Sequence, residues 1–264
     1  MAKQEKTALD IFKLKMQFSA LQFSDPKPQQ VYDVQSLFTT RPFAHKTRIK
    51  GGTETGDPDF RDIIRGAARL TNHRTAFKGD VWLAVDKHFI NGGWDQGWIP
   101  VLDPSEGKGK HSARGILWVS FNNNEVGRIT IGCAHYLTKG RRPGDPNYEL
   151  NGELIDATAQ FGRDFGKGDD LVFMMADGNI PDDKFDVFRG GPFTTAADEL
   201  GRHPNTGYGP IDWIASYDRD GRVEAGRMQV MSDKTLFLYT DHFPKIVTWD
   251  IVTLQSYLES KGKI

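Results

Sequence analysis

Chemical potential concentrates at the end of one apolar run, Leu171-Val172-Phe173-Met174-Met175-Ala176-Asp177-Gly178-Asn179. A short continuous apolar run bounded by turn residues predicts a buried strand, and Pro181 forbids its continuation. Asp177 and Asn179 would share one face if extended geometry persisted. A carboxylate beside a carboxamide at a strand tip suits gripping a water or a metal-bound oxygen. Asp-Gly is equally a common tight-turn dipeptide, so the pair needs support from elsewhere in the chain.

Four further positions carry comparable chemistry. Glu54 falls between a strand-like Thr47–Thr53 and a helix start at Asp57-Pro58; a surface glutamate is the plain alternative. His135 closes the apolar strand Ile129-Thr130-Ile131-Gly132-Cys133-Ala134-His135, where a core histidine with a satisfied hydrogen bond is the alternative. Asp212 interrupts Ile211-Asp212-Trp213-Ile214. Aspartate is disfavoured inside strands, and a buried one needs a partner such as an imidazole. Asp241-His242 precedes Phe243-Pro244, which also reads as a polar turn.

Taken jointly, these segments resemble the endonuclease/exonuclease/phosphatase superfamily. Its Gly-Asp-x-Asn is similar to Ala176-Asp177-Gly178-Asn179, its Ser-Asp-His-x-Pro to Thr240-Asp241-His242-Phe243-Pro244, and its Ile-Asp-Tyr-Ile to Ile211-Asp212-Trp213-Ile214. Thr-His-Leu resembles Ala134-His135-Tyr136, and Gln-Glu-Val resembles Thr53-Glu54-Thr55. The likeness spans residues 13–250. One departure stands in the first strand, Phe18-Ser19-Ala20-Leu21-Gln22-Phe23, which lacks the family's Asn and offers Ala20 or Gln22 in its place.

Phosphodiester hydrolysis requires an activated water, neutralised phosphate oxygens and a stabilised leaving oxygen. Mg²⁺ or Mn²⁺ with oxygen ligands would polarise the phosphoryl group, with Glu54 the first expected ligand and Asp241 a second. His242 oriented by Asp212 would be the general base. Asp177 and Asn179 would hold water and phosphate, and His135 would donate to a phosphate oxygen. The resemblance implies the same division of labour. DNA is the leading substrate and partner expected, with Arg114, Lys139, Arg141, Arg142 and also Lys108, Lys110 and His111 able to track phosphates; solvated basic loops are the alternative. A small or lipid phosphoester, or non-catalytic binding on the same fold, remain competing readings.

The elements that would position these residues alternate along the chain. Strands are expected at 15–23, 47–53, 81–85, 116–121, 129–135, 171–175, 211–216, 224–231, 235–240 and 245–249. Helices are expected over 31–38, over Phe60, Ile63, Ile64, Ala67 and Leu70, over Leu150 to Phe165, and at the C-terminus. Gly92 to Trp98 reads as a Gly/Trp-rich loop. Interspersed strands and helices predict an α/β four-layer sandwich of two mixed sheets face to face between helices. One domain over 1–264 is expected, with a polar leader at 1–12 and a helical extension at 250–264. Lys and Arg total 34 against 35 Asp and Glu, so bulk charge argues for no polyanionic partner. The single Cys133 excludes an internal disulfide and a Cys-rich zinc site. No long apolar segment or signal peptide is evident, so a cytoplasmic protein is expected. No nucleotide-binding glycine loop, His-Glu-x-x-His or Gly-x-Ser-x-Gly motif occurs.

Overall fold

A computed structural model of the chain describes residues 13–22, 38, 47–53, 55, 58–106, 113–179, 193–201, 211–217, 220–230 and 242–264. Among these the strands form two six-stranded sheets. The first runs β11 (Val223–Val230), β12 (His242–Val252), β1 (Lys13–Gln22), β2 (Thr47–Gly52), β4 (Val81–Asp86), β3 (His73–Lys78). The second runs β5 (Gly92–Leu102), β6 (Arg114–Asn123), β7 (Gly127–His135), β8 (Leu171–Asp177), β10 (Asp212–Tyr217), β9 (Thr194–Thr195). Each sheet has a parallel pair at its centre, β1 with β2 and β7 with β8, and antiparallel neighbours elsewhere.

Alternation along the strands builds the layers. Leu171, Phe173 and Met175 of β8 meet Ile49, Leu83, Val85, Val247 and Trp249 of the first sheet in one core. The intervening Val172, Met174 and Ala176 face Leu154, Ile155 and Phe161 of α2 (Tyr148–Phe165). On the far side, Trp82, Ala84 and Ile246 cover Phe60, Ile64, Ala67 and Ala68 of α1 (Pro58–Leu70). Strands buried on both faces read as unbroken apolar runs, which is why β4 and β8 are so legible. The result is the four-layer α/β sandwich. Two short helices complete it, α3 (Ala196–Leu200) and α4 (Leu254–Ser260). Among the described residues no helix is long and apolar enough to cross a membrane.

Three expectations change. Gly92 to Trp98 is strand, not loop: β5 is an edge strand whose Trp94 ring stacks on Phe121 at 6.3 Å and has the Arg74 guanidinium over it at 4.4 Å. Its exposed, glycine-rich pattern hid it. β3 was not anticipated, because Arg74 and Lys78 dilute its alternation. Leu70 is 86% exposed rather than part of the α1 stripe; it lies two residues past Ala68, about 200° around the helix. The strand expected at 235–240 and all but Phe38 of the helix expected at 31–38 lie outside the described residues.

Lys50 of β2 lies fully buried beneath α1, its Nζ 2.9 Å from His73 Nε2 and 5.4 Å from the Phe38 ring centroid. Burial lowers its pKa from 10.5 to about 7, with Asp86 opposing and Arg48 assisting the shift. Between those two values the unfolded chain binds the extra proton, so this group makes stability rise with pH across that window. Below it the folded protein carries the full cost of a buried ammonium. Lys50→Met is therefore expected to raise Tm at neutral pH and below, with the gain shrinking towards about pH 10. Thermal unfolding of both proteins across this range measures it; a pH-independent difference would contradict the assignment.

Candidate active site

Three strands of the second sheet bring the chemistry together. Parallel register sets His135 of β7 opposite Asp177 of β8, and antiparallel register sets Asp177 opposite Asp212 of β10. Each continues the parity of inward-facing core residues: Ile131 and Cys133, Phe173 and Met175, and Ile214. Alternate strand residues face one side, so the row looks toward the first sheet at the end of the apolar core. His135 Nε2 lies 3.6 Å from Asp177 Oδ2. From the first sheet, His242 opens β12 and sets its Nδ1 2.9 Å from Asp212 Oδ2. All four side chains are buried.

A further carboxylate joins them that sequence reasoning missed. Asp80, in the turn between β3 and β4, places Oδ2 2.7 Å from His135 Nδ1 and accepts a hydrogen bond from Arg114 Nη1 on the same oxygen. Gly79 at φ +58° makes the turn, and the Asp80 carbonyl accepts from Thr55 N at 2.9 Å. Gly-Asp between two strands reads as a surface turn; the available signal was an acid abutting the wholly apolar Val81-Trp82-Leu83-Ala84-Val85. Two His–Asp pairs thus cross the sandwich in opposite directions. His135 of the second sheet reaches Asp80 of the first, and His242 of the first reaches Asp212 of the second.

Their electrostatics differ. Burial alone would raise the Asp80 carboxyl, but the His135 ring and Arg114 guanidinium outweigh it and hold its pKa well below the ordinary value. Asp177 is pushed up to about 6 by burial and by the charge of Asp212, against the pull of His135, His242 and the Asn179 N–H. Burial also pushes the Cys133 thiol up, consistent with an inert core residue.

Asn179 departs from the expected extended geometry. The strand stops at Asp177, Asn179 adopts φ +52°, and its N–H folds back onto Asp177 Oδ1 at 2.9 Å. Its Nδ2 donates to the Tyr136 carbonyl at 2.9 Å, tying the ends of β7 and β8. Arg141 Nε donates to the Asn179 carbonyl at 3.1 Å, so the basic loop touches this turn. Lys139 and Arg142 of that loop are exposed, and Asp145 Oδ2 accepts from the N–H groups of Arg141 and Arg142 at 2.7 and 3.1 Å. Arg114 opens β6 and is buried against Asp80 rather than carried on an open loop. Gln22 pairs in register with His242 and Ala20 with Lys245. Glu54, Asp241, Lys108, Lys110 and His111 lie outside the described residues.

Asp177, Asp212 and His242 each offer an atom within 4.8 Å of the others, a group able to hold a metal ion. Oxygen donors suit a hard divalent cation, and a cation there would offset the Asp212 repulsion that adds to burial in raising Asp177.

No family model matches the sequence, and no curated protein matches it. Solved structures do match. An endonuclease/exonuclease/phosphatase family protein from Bacteroides thetaiotaomicron is similar at TM-score 0.68 and 14% identity, covering 91% of this chain and 99% of that one. A mannosyl-6-phosphatase from Bacteroides thetaiotaomicron gives 0.69 and 14%, over 89% and 99%. D. rerio TDP2 complexed with single strand DNA product gives 0.63 and 12%, over 89% and 98%. The chain has the endonuclease/exonuclease/phosphatase fold. At these identities the likeness speaks for architecture.

Asp80 balances two buried bases. Asp80→Ala would leave His135 and Arg114 without that carboxylate, and breaking a buried charge pair costs about 3–5 kcal/mol. Urea denaturation of the variant is expected to show a loss of that size, and a smaller one for Asp80→Asn. A loss under about 1 kcal/mol, as for a surface pair, would contradict it.

Proposed function

We propose that the chain is a divalent-metal-dependent phosphodiester hydrolase, with DNA its leading substrate. The observation that carries this reading is the buried His242–Asp212 pair set beside Asp177. A base held by an orienting acid next to a second carboxylate is the equipment for drawing a proton from water. With Nδ1–H on Asp212, Nε2 of His242 is the accepting nitrogen. Asp177, steadied by the Asn179 N–H, accepts a hydrogen bond from the same water and aligns it with the phosphorus. As the imidazolium, with Nδ1–H held by Asp80, His135 presents Nε2–H as a donor to a phosphate oxygen.

Glu54 and Asp241 would hold Mg²⁺ or Mn²⁺ beside Asp177, and the ion when bound neutralises phosphate charge and steadies the leaving oxygen. Arg141, anchored on Asn179, with exposed Lys139 and Arg142 beside it, favours an extended polyanion over a compact phosphoester. The D. rerio TDP2 structure with a DNA product supports the same choice. The mannosyl-6-phosphatase of the same fold supports the second reading, a small phosphoester.

His242→Ala is expected to lower turnover of plasmid DNA by about 10²–10⁴-fold, the range of general-base catalysis, with Asp212→Asn retaining part of the rate. Full turnover in a folded His242→Ala protein would overturn the assignment. Chelator should abolish activity and Mg²⁺ or Mn²⁺ restore it. Calorimetric Mn²⁺ titration should show weaker binding to Glu54→Gln; unchanged affinity moves that ligand elsewhere. Preference for an inositol or lipid phosphoester over DNA would select the second reading.

A further inference from the structure

Lys245 is the residue in this region that neither the fold nor the mechanism above calls for. It sits in β12, three residues after His242, and is 2% exposed. Val247, Trp249 and Ile251 follow at alternate positions of the same strand, all in the apolar core between the sheets. Its register partners on either side are Ala20 of β1 and Val230 of β11. By residue type, every one of these neighbours invites an apolar side chain at 245. A buried ammonium there is costly, and replacing a buried charge with an apolar group of similar volume is often neutral or stabilising.

The Lys245 side chain spans the gap between sheets, and its Nζ donates to the main-chain carbonyl of Asp212 in β10. Asp212 is the residue whose carboxylate meets the His242 ring at 2.9 Å. The dyad is therefore bridged twice, once by its own hydrogen bond and once by a lysine on the histidine's strand gripping the aspartate's backbone. A single hydrogen bond between two sheets fixes a distance but leaves the approach angle loose. The second grip removes that freedom, and positioning within a fraction of an ångström governs rate.

We propose that Lys245 is a positioning residue for the His242–Asp212 pair, kept at a buried site for turnover and not for stability. This rests on the reading of His242 as the base, so His242→Ala is measured alongside. With bis-p-nitrophenyl phosphate and Mg²⁺, Lys245→Met should lower kcat by about 10–100-fold with KM within about 3-fold, as expected of an interaction that serves the transition state. Its Tm should be unchanged or higher. In the metal-free protein, the downfield proton resonance of His242 Nδ1–H should shift or vanish. Lys245→Arg, which keeps a cationic donor, should recover part of kcat and of the resonance. Wild-type kcat with an intact resonance in Lys245→Met, while His242→Ala is inactive, overturns the proposal and leaves the base assignment standing. An active His242→Ala overturns the base assignment and the proposal with it. A Lys245→Met protein that fails to fold, or loses kcat and Tm together with the resonance unmoved, shows a structural tether and overturns the proposal.

Discussion

One register governs this site. His135, Asp177 and Asp212 stand in a row only because β8 pairs in step with β7 on one side and β10 on the other. Strand side chains alternate with period two, so a slip of one residue on either side would turn a member of the row towards α2 and bring an apolar residue into its place. The apolar alternation of the same strands prevents the slip. Phe173 and Met175 belong between the sheets, Val172 and Met174 against the helix, and exchanging them would misfit both layers. The packing that makes the sandwich therefore aligns the acids, with no separate device required.

At the site end of the apolar core the sheets are joined by polar contacts as well. His135 with Asp80, His242 with Asp212, and Lys245 with the Asp212 carbonyl all run from one sheet to the other. Apolar burial is non-directional and tolerates small sliding of one sheet on its partner. Directed bonds at the end of the core do not. The asymmetry between the two His–Asp pairs is equally physical. Asp80 has a guanidinium beside its imidazole, while Asp212 faces a second carboxylate in register.

Those parts of the site built on polar residues inside apolar strands were legible in the sequence. Asp212 between Ile211 and Trp213, and His135 after Ile131-Gly132-Cys133-Ala134, contradict their apolar surroundings, and the fold gathers both into one buried polar cluster. Asp80 was not legible, because a Gly-Asp turn gives no sign that the fold will bury it under Arg114. Lys50 and Lys245 escaped for a related reason: a lysine in a strand ordinarily faces solvent, and only the third dimension shows that β2 and β12 are covered on both faces. Asn179 was found, but its conformation was not. Extended spacing predicted a side chain beside Asp177, whereas the turn demanded a left-handed residue, and asparagine tolerates that backbone through local hydrogen bonding.

The contrast between Asp80 and Asp177 bears on which half of the cluster does chemistry. Two buried carboxylates lie on either side of one imidazole, with pKa values driven apart by their surroundings: Asp80 held low by two bases, Asp177 raised to about 6 by burial and Asp212. A carboxylate whose charge is already matched gains little from a further cation and serves to aim its neighbour. One held against a like charge in a buried place gains much from a cation or a proton. Environments that separate two such groups sort them into orienting and reacting roles. On that criterion Asp80 would aim His135 in the proposed mechanism, and its reacting end would lie toward Asp177, Asp212 and His242, where the basic loop at Arg141 also arrives.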